Sequence, residues 1–167
     1  MSNEQPNLAV LKQWFRALIL LPFNVLVVLP GLILYCTNFT YQFPNVLQFI
    51  GGLIVLLGGM CLVGWTMVLF HRIGKGTLAP WASPKQLVVQ GPYQFVRNPM
   101  IIGVILILLA EALLLNTRYI FYWAVVFFIL NNLYFHYIEE KQLEKTFGQQ
   151  YLDYKKKVPM WWPKFNK

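Results

Sequence analysis

Charged side chains are scarce in this chain of 167 residues, and acidic ones are the scarcest. Only 12% of the residues are Asp, Glu, Lys or Arg, whereas a soluble globular domain has about 25%. Hydrophobic residues make up 57% of the chain, aromatic residues 17%, and the mean hydropathy is +0.51. This composition argues against a soluble domain. It predicts an all-α integral membrane protein.

Cysteine is nearly absent, since Cys36 and Cys61 are the only two in the chain. They do not form a closely spaced pair of the kind that binds metal, and both fall in or beside apolar segments. We interpret them as small apolar residues without a redox role. The sequence therefore predicts no metal site.

Long apolar runs divide the chain into segments that can cross a bilayer. A transmembrane helix needs about 20 mostly apolar residues, and four segments meet or approach this length: 14–36, 46–70, 100–115 and 119–138. The third is short and needs Pro99 and the next loop to reach the interface. We predict one domain over residues 1–167, a polytopic helical bundle with about four transmembrane helices.

Basic residues are distributed unevenly between the loops. The first loop, residues 37–45, has no charge, whereas the second loop and the tail are basic. The basic residues of these two segments are Arg72, Lys75, Lys85, Arg97, Lys141, Lys145, Lys155, Lys156, Lys157, Lys164 and Lys167. Positive loops stay on the cytoplasmic side, so we expect both termini to be cytoplasmic and Arg118 to lie outside.

The net charge of +8 at that face suits anionic lipid headgroups. No nucleic-acid partner is expected, because the basic residues flank apolar segments and do not form a separate basic domain.

The stretch LVVQGPYQFVRNPMIIG, residues 87–103, joins a turn to the start of the third apolar segment. Gly91 and Pro92 favour the turn, and Pro99 suits the first position of a helix. Arg97 is a permanent cation whose planar donors fit a carboxylate, and Asn98 both donates and accepts hydrogen bonds. The alternative is that Arg97 is an ordinary interfacial anchor at an ordinary helix start.

The loop between the third and fourth apolar segments consists only of residues 116–118. A connection this short predicts an antiparallel helical hairpin. A hairpin returns the chain to its starting side, so Arg97 should meet Glu139 and Glu140. Neighbouring helix residues point about 100° apart, and only one of the two glutamates can face the site. His136, one turn earlier, is either a candidate base or an interfacial residue.

Two other apolar segments contain residues that allow more than one interpretation. Gly51–Gly52 and Gly58–Gly59 recur seven residues apart and thin one helix face, either for tight packing or to admit a flat ligand. Glu111 is either a functional intramembrane carboxylate or the partner of Arg118 at the outer interface.

The tail has an apolar stripe at helical spacing, formed by Leu143, Phe147, Tyr151 and Tyr154. It predicts one cytoplasmic amphipathic helix that lies on the membrane surface or covers the mouth of the bundle. The following Trp161 and Trp162 are expected at the membrane interface.

The segments GPYQFVRNPMIIG and EEKQLEKTFGQQYLDYKKKVPMWWP, separated by an apolar hairpin, resemble the isoprenylcysteine carboxyl methyltransferase family and related membrane phospholipid methyltransferases. The resemblance covers about residues 85–163. It implies an S-adenosylmethionine-dependent methyltransferase that acts on a lipophilic or lipid substrate at the cytoplasmic membrane face and releases S-adenosylhomocysteine.

The resemblance also implies a site built from about residues 85–103 plus 136–163. The implied cofactor-binding residues are Gln86, Leu87, Val88, Tyr93, Asn98, Pro99, Met100, Ile101 and Glu139. Arg97, Glu140 and His136 are the candidate catalytic residues, and Glu140 or His136 would take a proton from an amine acceptor.

Three positions depart from the family pattern. Asn98 replaces the usual histidine, as in bacterial relatives, which predicts a bacterial inner-membrane protein. Ile101 replaces a tyrosine, and Phe135 stands where the prenylcysteine enzymes have a substrate-binding arginine. Phe135 therefore puts a carboxylate acceptor in doubt. The alternatives are N-methylation of a phospholipid headgroup or non-catalytic lipid binding, and the sequence does not determine the oligomeric state.

Overall fold

The computed structural model describes residues 19–74 and 86–163. Within these residues the chain is helical and has no strand, which confirms the all-α prediction for this part. Several residues used above lie outside the described ranges, namely residues 14–18 of the predicted first span and Lys75, Lys85, Lys164 and Lys167.

Four helices form the main bundle, and two short ones follow. Helix α1 has a π-helical part, Ile19–Val28, and an α-helical part, Leu29–Cys36. Helix α2 is Val46–Leu69, α3 is Pro99–Leu114 and α4 is Arg118–Tyr134. A π-helical segment, Phe135–Glu139, joins α4 to α5, Glu140–Phe147, and α6 is Gln149–Lys157.

Two helices are long and apolar enough to cross a membrane, Val46–Gly74 and Arg118–Phe147. Most of their residues are not buried within the protein, and large apolar side chains such as Leu57, Trp65 and Ile129 are exposed. Soluble proteins rarely expose apolar faces of this size, so these faces suit lipid.

The two other apolar helices are shorter. Helix α3 has 16 residues, which span about 24 Å at 1.5 Å per residue, less than the roughly 30 Å hydrocarbon core of a bilayer. The described apolar part of α1 is Pro22–Cys36. Length therefore supports two spans, and the count of four stays a prediction.

Two prolines distort α1. Pro22 lies inside the π-helical part, and Pro30 is near the start of the α-helical part. Proline lacks the N–H that a helix needs, so carbonyls in the preceding turn lose their donor. Trp123 of α4 donates its Nε1–H to Val25 O at 3.1 Å, five residues before Pro30. This hydrogen bond joins the distorted part of α1 to α4.

The turn between α3 and α4 forms the predicted antiparallel hairpin. Asn116 has a φ of 51°, and the N–H of Thr117 donates to Ala112 O at 3.0 Å. Thr117 Oγ1 then accepts from the N–H of Tyr119 at the start of α4. Leu108 and Ile120, one from each helix, are fully buried in the core behind this turn.

Glycines bring α2 against α3. A Cβ atom on Gly59 would lie 2.9 Å from Gly103 O and 3.1 Å from the nitrogen of Ile107, and a Cβ on Gly52 would meet Leu114. Gly51 and Gly58 point into open space. The thinned face therefore serves tight helix packing, and α3 fills the space that a flat ligand would need.

The tail differs from the single helix that its apolar stripe predicts. Gly148 separates α5 from α6 with φ 53° and ψ −129°, a conformation that side-chain-bearing residues rarely adopt. The prediction of one continuous helix is wrong, because Gly148 turns the chain there. Leu143, Tyr151 and Tyr154 nevertheless face one cavity, which favours the interpretation that the stripe covers the mouth of the bundle.

Replacing Gly59 by alanine should destabilise the protein by about 1–3 kcal/mol, because the new methyl group meets backbone atoms that cannot move independently. Gly58→Ala is the matched control and should change stability little, since nothing lies within 4 Å of that position. Denaturant unfolding in detergent compares the two variants. Equal stability would contradict the close α2–α3 contact.

Candidate functional site

The site is centred on an ion pair between Arg97 and Glu140. Arg97 lies two residues before α3, and its backbone N–H donates to Pro159 O at 2.9 Å. Its Nη1 donates to Oε1 of Glu140, the first residue of α5. The two residues are 43 positions apart in sequence, so the hairpin brings them together as predicted.

Glu140, and not Glu139, is the partner of Arg97. Glu140 is 5% exposed, and its second oxygen, Oε2, lies 2.6 Å from Lys155 Nζ. Lys155 Nζ also lies 2.8 Å from Glu144 Oε1. Glu139 is half-buried and takes part in none of the ion pairs of the described residues.

A cavity of about 460 Å³ opens beside this ion pair. Its polar end has the side chains of Tyr93, Arg97, Asn98, Glu139 and Glu140. An apolar arm continues between the helices, lined among others by Val25, Val63, Met67, Val104, Phe127 and Leu130. Phe127 and Glu140 are 13 residues apart along nearly continuous helix, or about 20 Å at 1.5 Å per residue. The cavity therefore joins a charged end to a long apolar channel.

Two tyrosines close the polar end. Tyr154 of α6 donates its hydroxyl hydrogen to Tyr93 O at 2.7 Å, and Tyr151 is buried one turn earlier. Burial raises the pKa of Tyr93 above its ordinary value, and the charge of Glu139 raises it further. Burial likewise raises the pKa of Tyr154. The hydroxyl groups of Tyr93 and Tyr154 therefore stay protonated at neutral pH, so each can donate a hydrogen bond and neither acts as a base.

Most of the residues proposed to bind a cofactor lie on the cavity wall. Those on the wall are Leu87, Val88, Tyr93, Asn98, Met100, Ile101 and Glu139. Pro99 is buried at the start of α3 but is not part of the wall. Gln86 and His136 are exposed and lie off the wall. Position on the wall does not test cofactor binding, so the roles proposed for all of these residues stay predictions.

Sequence reasoning missed how closely α4 and the tail are joined. Trp161 Nε1 donates to Asn132 Oδ1 at 2.8 Å, and its ring packs edge-on against Phe128 and Phe135. Phe135 and Asn131 also line the cavity. Trp161 packs on α4, and its predicted position at the membrane interface stays a prediction. Two adjacent asparagines inside an apolar helix were the available signal for such a partner.

Glu111 and Arg118 do not form the pair that was one interpretation of the sequence. No ion pair connects these two residues, both of which the structure describes. The guanidinium carbon of Arg118 lies 5.6 Å from the centre of the Tyr119 ring. Glu111 is half-buried in α3, at the end of the helix away from Arg97.

The fold and the cavity define a helical protein with membrane-length helices and a site that pairs charged groups with an apolar channel. A sequence model of the phospholipid methyltransferase family matches residues 47–150, more than half of the chain. The chain therefore belongs to the phospholipid methyltransferase family, which confirms the predicted relationship to membrane methyltransferases of lipid-type substrates. No curated protein and no solved structure matches it.

The family match contains α3, α4, α5 and both glutamates, so it covers the hairpin that forms the ion pair. It also includes nearly all of α2, which the sequence resemblance had left out. The first motif and the start of the second, up to residue 150, thus lie within the family match, whereas Tyr151, Tyr154 and Lys155 lie beyond it.

Glu140→Gln should destabilise the protein by about 3 kcal/mol, because it leaves the buried cation of Arg97 without its counter-charge, whereas Lys155 keeps its ion pair with Glu144. Glu139→Gln is the matched control, and we expect a loss below about 1 kcal/mol because Glu139 belongs to no ion pair of the described chain. Unfolding in detergent measures both. A greater loss for Glu139→Gln would contradict the assignment of Glu140 as the partner.

Proposed function

We propose that this protein is an S-adenosylmethionine-dependent methyltransferase whose acceptor is a lipophilic small molecule or a lipid. The observation that carries the proposal is the cavity, in which a polar end beside Arg97 and Glu140 continues into an apolar channel. Membership of the phospholipid methyltransferase family supports methyl transfer. We propose that the polar end and both termini are cytoplasmic, as the basic loops predict, and that the membrane is a bacterial inner membrane, as the resemblance at Asn98 implies.

The polar end fits the chemistry of S-adenosylmethionine. Glu139 has carboxylate oxygens that no ion pair of the described residues uses, and they can accept hydrogen bonds from ribose hydroxyl groups. Asn98 can donate and accept, and Tyr93 offers an aromatic ring. Leu87, Val88, Met100 and Ile101 add apolar contacts. The volume lies within the range of small-molecule sites, about 300–1,000 Å³.

When bound, S-adenosylmethionine supplies a methyl group on a positively charged sulfur. The protein's part is to hold the acceptor in the apolar channel so that its reacting atom meets that methyl group, and positioning of this kind supplies much of the rate acceleration. Tyr151 and Tyr154 of α6 line the polar end, and the hydrogen bond from Tyr154 to Tyr93 holds α6 against it.

The positions of Glu140, His136 and Glu139 support different roles for the three residues. Both oxygens of Glu140 are engaged, one by Arg97 and one by Lys155, which supports a role for Glu140 in holding Arg97. His136 is exposed away from the cavity wall. Of Glu139, Glu140 and His136, only Glu139 both lies on the cavity wall and takes part in none of the ion pairs of the described residues. This placement supports a cofactor-binding role for Glu139, and it argues against Glu140 or His136 as the base for an amine acceptor.

The charges on the wall bear on the acceptor class. The described lining contains one cation, Arg97, which is paired, and two carboxylates, Glu139 and Glu140. Phe135 adds an aromatic surface and no charge. A carboxylate acceptor of the isoprenylcysteine type lacks a free counter-ion on this wall. The wall therefore favours the second candidate, N-methylation of a phospholipid headgroup, over carboxyl methylation.

The purified protein in nanodiscs should bind S-adenosylmethionine saturably, and Glu139→Gln should weaken binding about tenfold or more because it replaces one hydrogen-bond-accepting oxygen at the polar end by an amide nitrogen that cannot accept. Arg118→Gln, at the far end of the hairpin, should bind as the wild type does. Calorimetry measures all three. Absence of binding in both nanodiscs and detergent would favour the non-catalytic lipid-binding alternative.

An acceptor panel should show methyl transfer to a lipid with a primary amine headgroup at a higher rate than to a simple prenylcysteine. The reason is that the described wall offers no unpaired cation to bind the carboxylate of a prenylcysteine. Transfer of radiolabelled methyl groups into the lipid fraction measures both reactions. Efficient methylation of prenylcysteine would contradict the inference that the cavity disfavours a carboxylate acceptor.

A further inference from the structure

Lys155 stands outside the cavity but is bonded to its wall. Lys155 does not line the cavity, whereas Tyr151 and Tyr154 on the same helix do. Its Nζ lies 2.6 Å from Glu140 Oε2 and 2.8 Å from Glu144 Oε1. Lys155 therefore links α6 to α5 through two carboxylates.

Glu140 lies between two cations. Arg97 takes its first oxygen and Lys155 its second, so neither oxygen is left to turn toward another partner. A carboxylate held from both sides has one orientation, and that orientation fixes the guanidinium of Arg97 at the polar end of the cavity. Arg97, Glu140, Lys155 and Glu144 together carry no formal net charge.

We propose that Lys155 is a positioning residue for the methyltransferase site, acting through Glu140 to hold Arg97 in place. This inference rests on the proposed function for its effect on catalysis, while its effect on Arg97 does not depend on that function. Hydrogen bonds with Glu140 and Glu144 raise the pKa of Lys155, so the link persists throughout the neutral pH range.

The neighbouring lysine provides a matched control. Lys156 is on the same helix with the same charge, but its side chain is 74% exposed and lies 3.8 Å from Asp153. Lys156→Met removes as much positive charge from α6 as Lys155→Met does. A difference between the two variants therefore reports the contact with Glu140 and not the general charge of the helix.

The first readout needs no cofactor. The Arg97 amide donates to Pro159 O, and loss of the Lys155 link should loosen this contact. Hydrogen exchange of a peptide that contains residues 97–103 should be faster in Lys155→Met than in the wild type, and unchanged in Lys156→Met. Equal exchange in the two variants would overturn the proposal whether or not the protein is a methyltransferase.

The second readout uses S-adenosylmethionine itself. Lys155→Met should weaken its binding about tenfold, Lys155→Arg should restore most of it, and Lys156→Met should have no effect. In a Glu140→Gln background, Lys155→Met should add less than about twofold, because residues that act through one group are not additive. Additive losses, or no rescue by arginine, would assign Lys155 only a general role in folding. Absence of binding by the wild type would count against the proposed function, and hydrogen exchange would still decide this inference.

Discussion

The ion pair between Arg97 and Glu140 is the constraint on which the rest of this structure depends. Removing charges from water is costly, and a buried charge is tolerated only beside a partner that satisfies it. Arg97 precedes α3 and Glu140 follows α4, so the pair can form only if the hairpin returns the chain to the same level. The short turn at residues 115–117 and the core around Leu108 and Ile120 make that return possible.

Helix packing and the tail hold this geometry from two sides. Gly59 and Gly103 let α2 approach the backbone of α3, which fixes the helix that begins just after Arg97. On the other side, Pro159 accepts from the backbone of Arg97, and Tyr154 donates to Tyr93. The tail thus contacts the segment before α3 at backbone atoms. The contact with Pro159 depends only on the path of the chain, whereas the second contact also needs the hydroxyl group of Tyr154.

Composition and loop length were sufficient for the large features. Few charges and long apolar runs indicated a helical membrane protein, and a connection of three residues predicted that Arg97 would meet the two glutamates. The choice between Glu139 and Glu140 was beyond the same reasoning. The π-helical segment Phe135–Glu139 changes the number of residues per turn just before the pair. A count of 100° per residue along α4 therefore does not give the directions in which the two glutamates point.

The same limit explains what the sequence left undetermined in the tail. The stripe of apolar residues predicted one helix because spacing alone does not record the backbone angles of Gly148. Lys155 is the first of three consecutive lysines, and nothing in that run distinguishes it from Lys156. Only the turn at Gly148, which sets α6 against α5, selects Lys155 for contact with Glu140.

The balance of charge around the cavity connects the ion pair to the proposed reaction. Arg97, Glu140, Lys155 and Glu144 compensate one another, which leaves Glu139 as the one carboxylate on the described wall that no ion pair neutralises. Under the proposed function, the methyl donor carries a positive sulfur that becomes neutral once the methyl group has left. Under the proposed function, a carboxylate at that end would attract the positive donor more than the neutral product. The network that holds Arg97 in place therefore leaves Glu139 outside the ion pairs of the described residues, where the proposed cofactor would meet it.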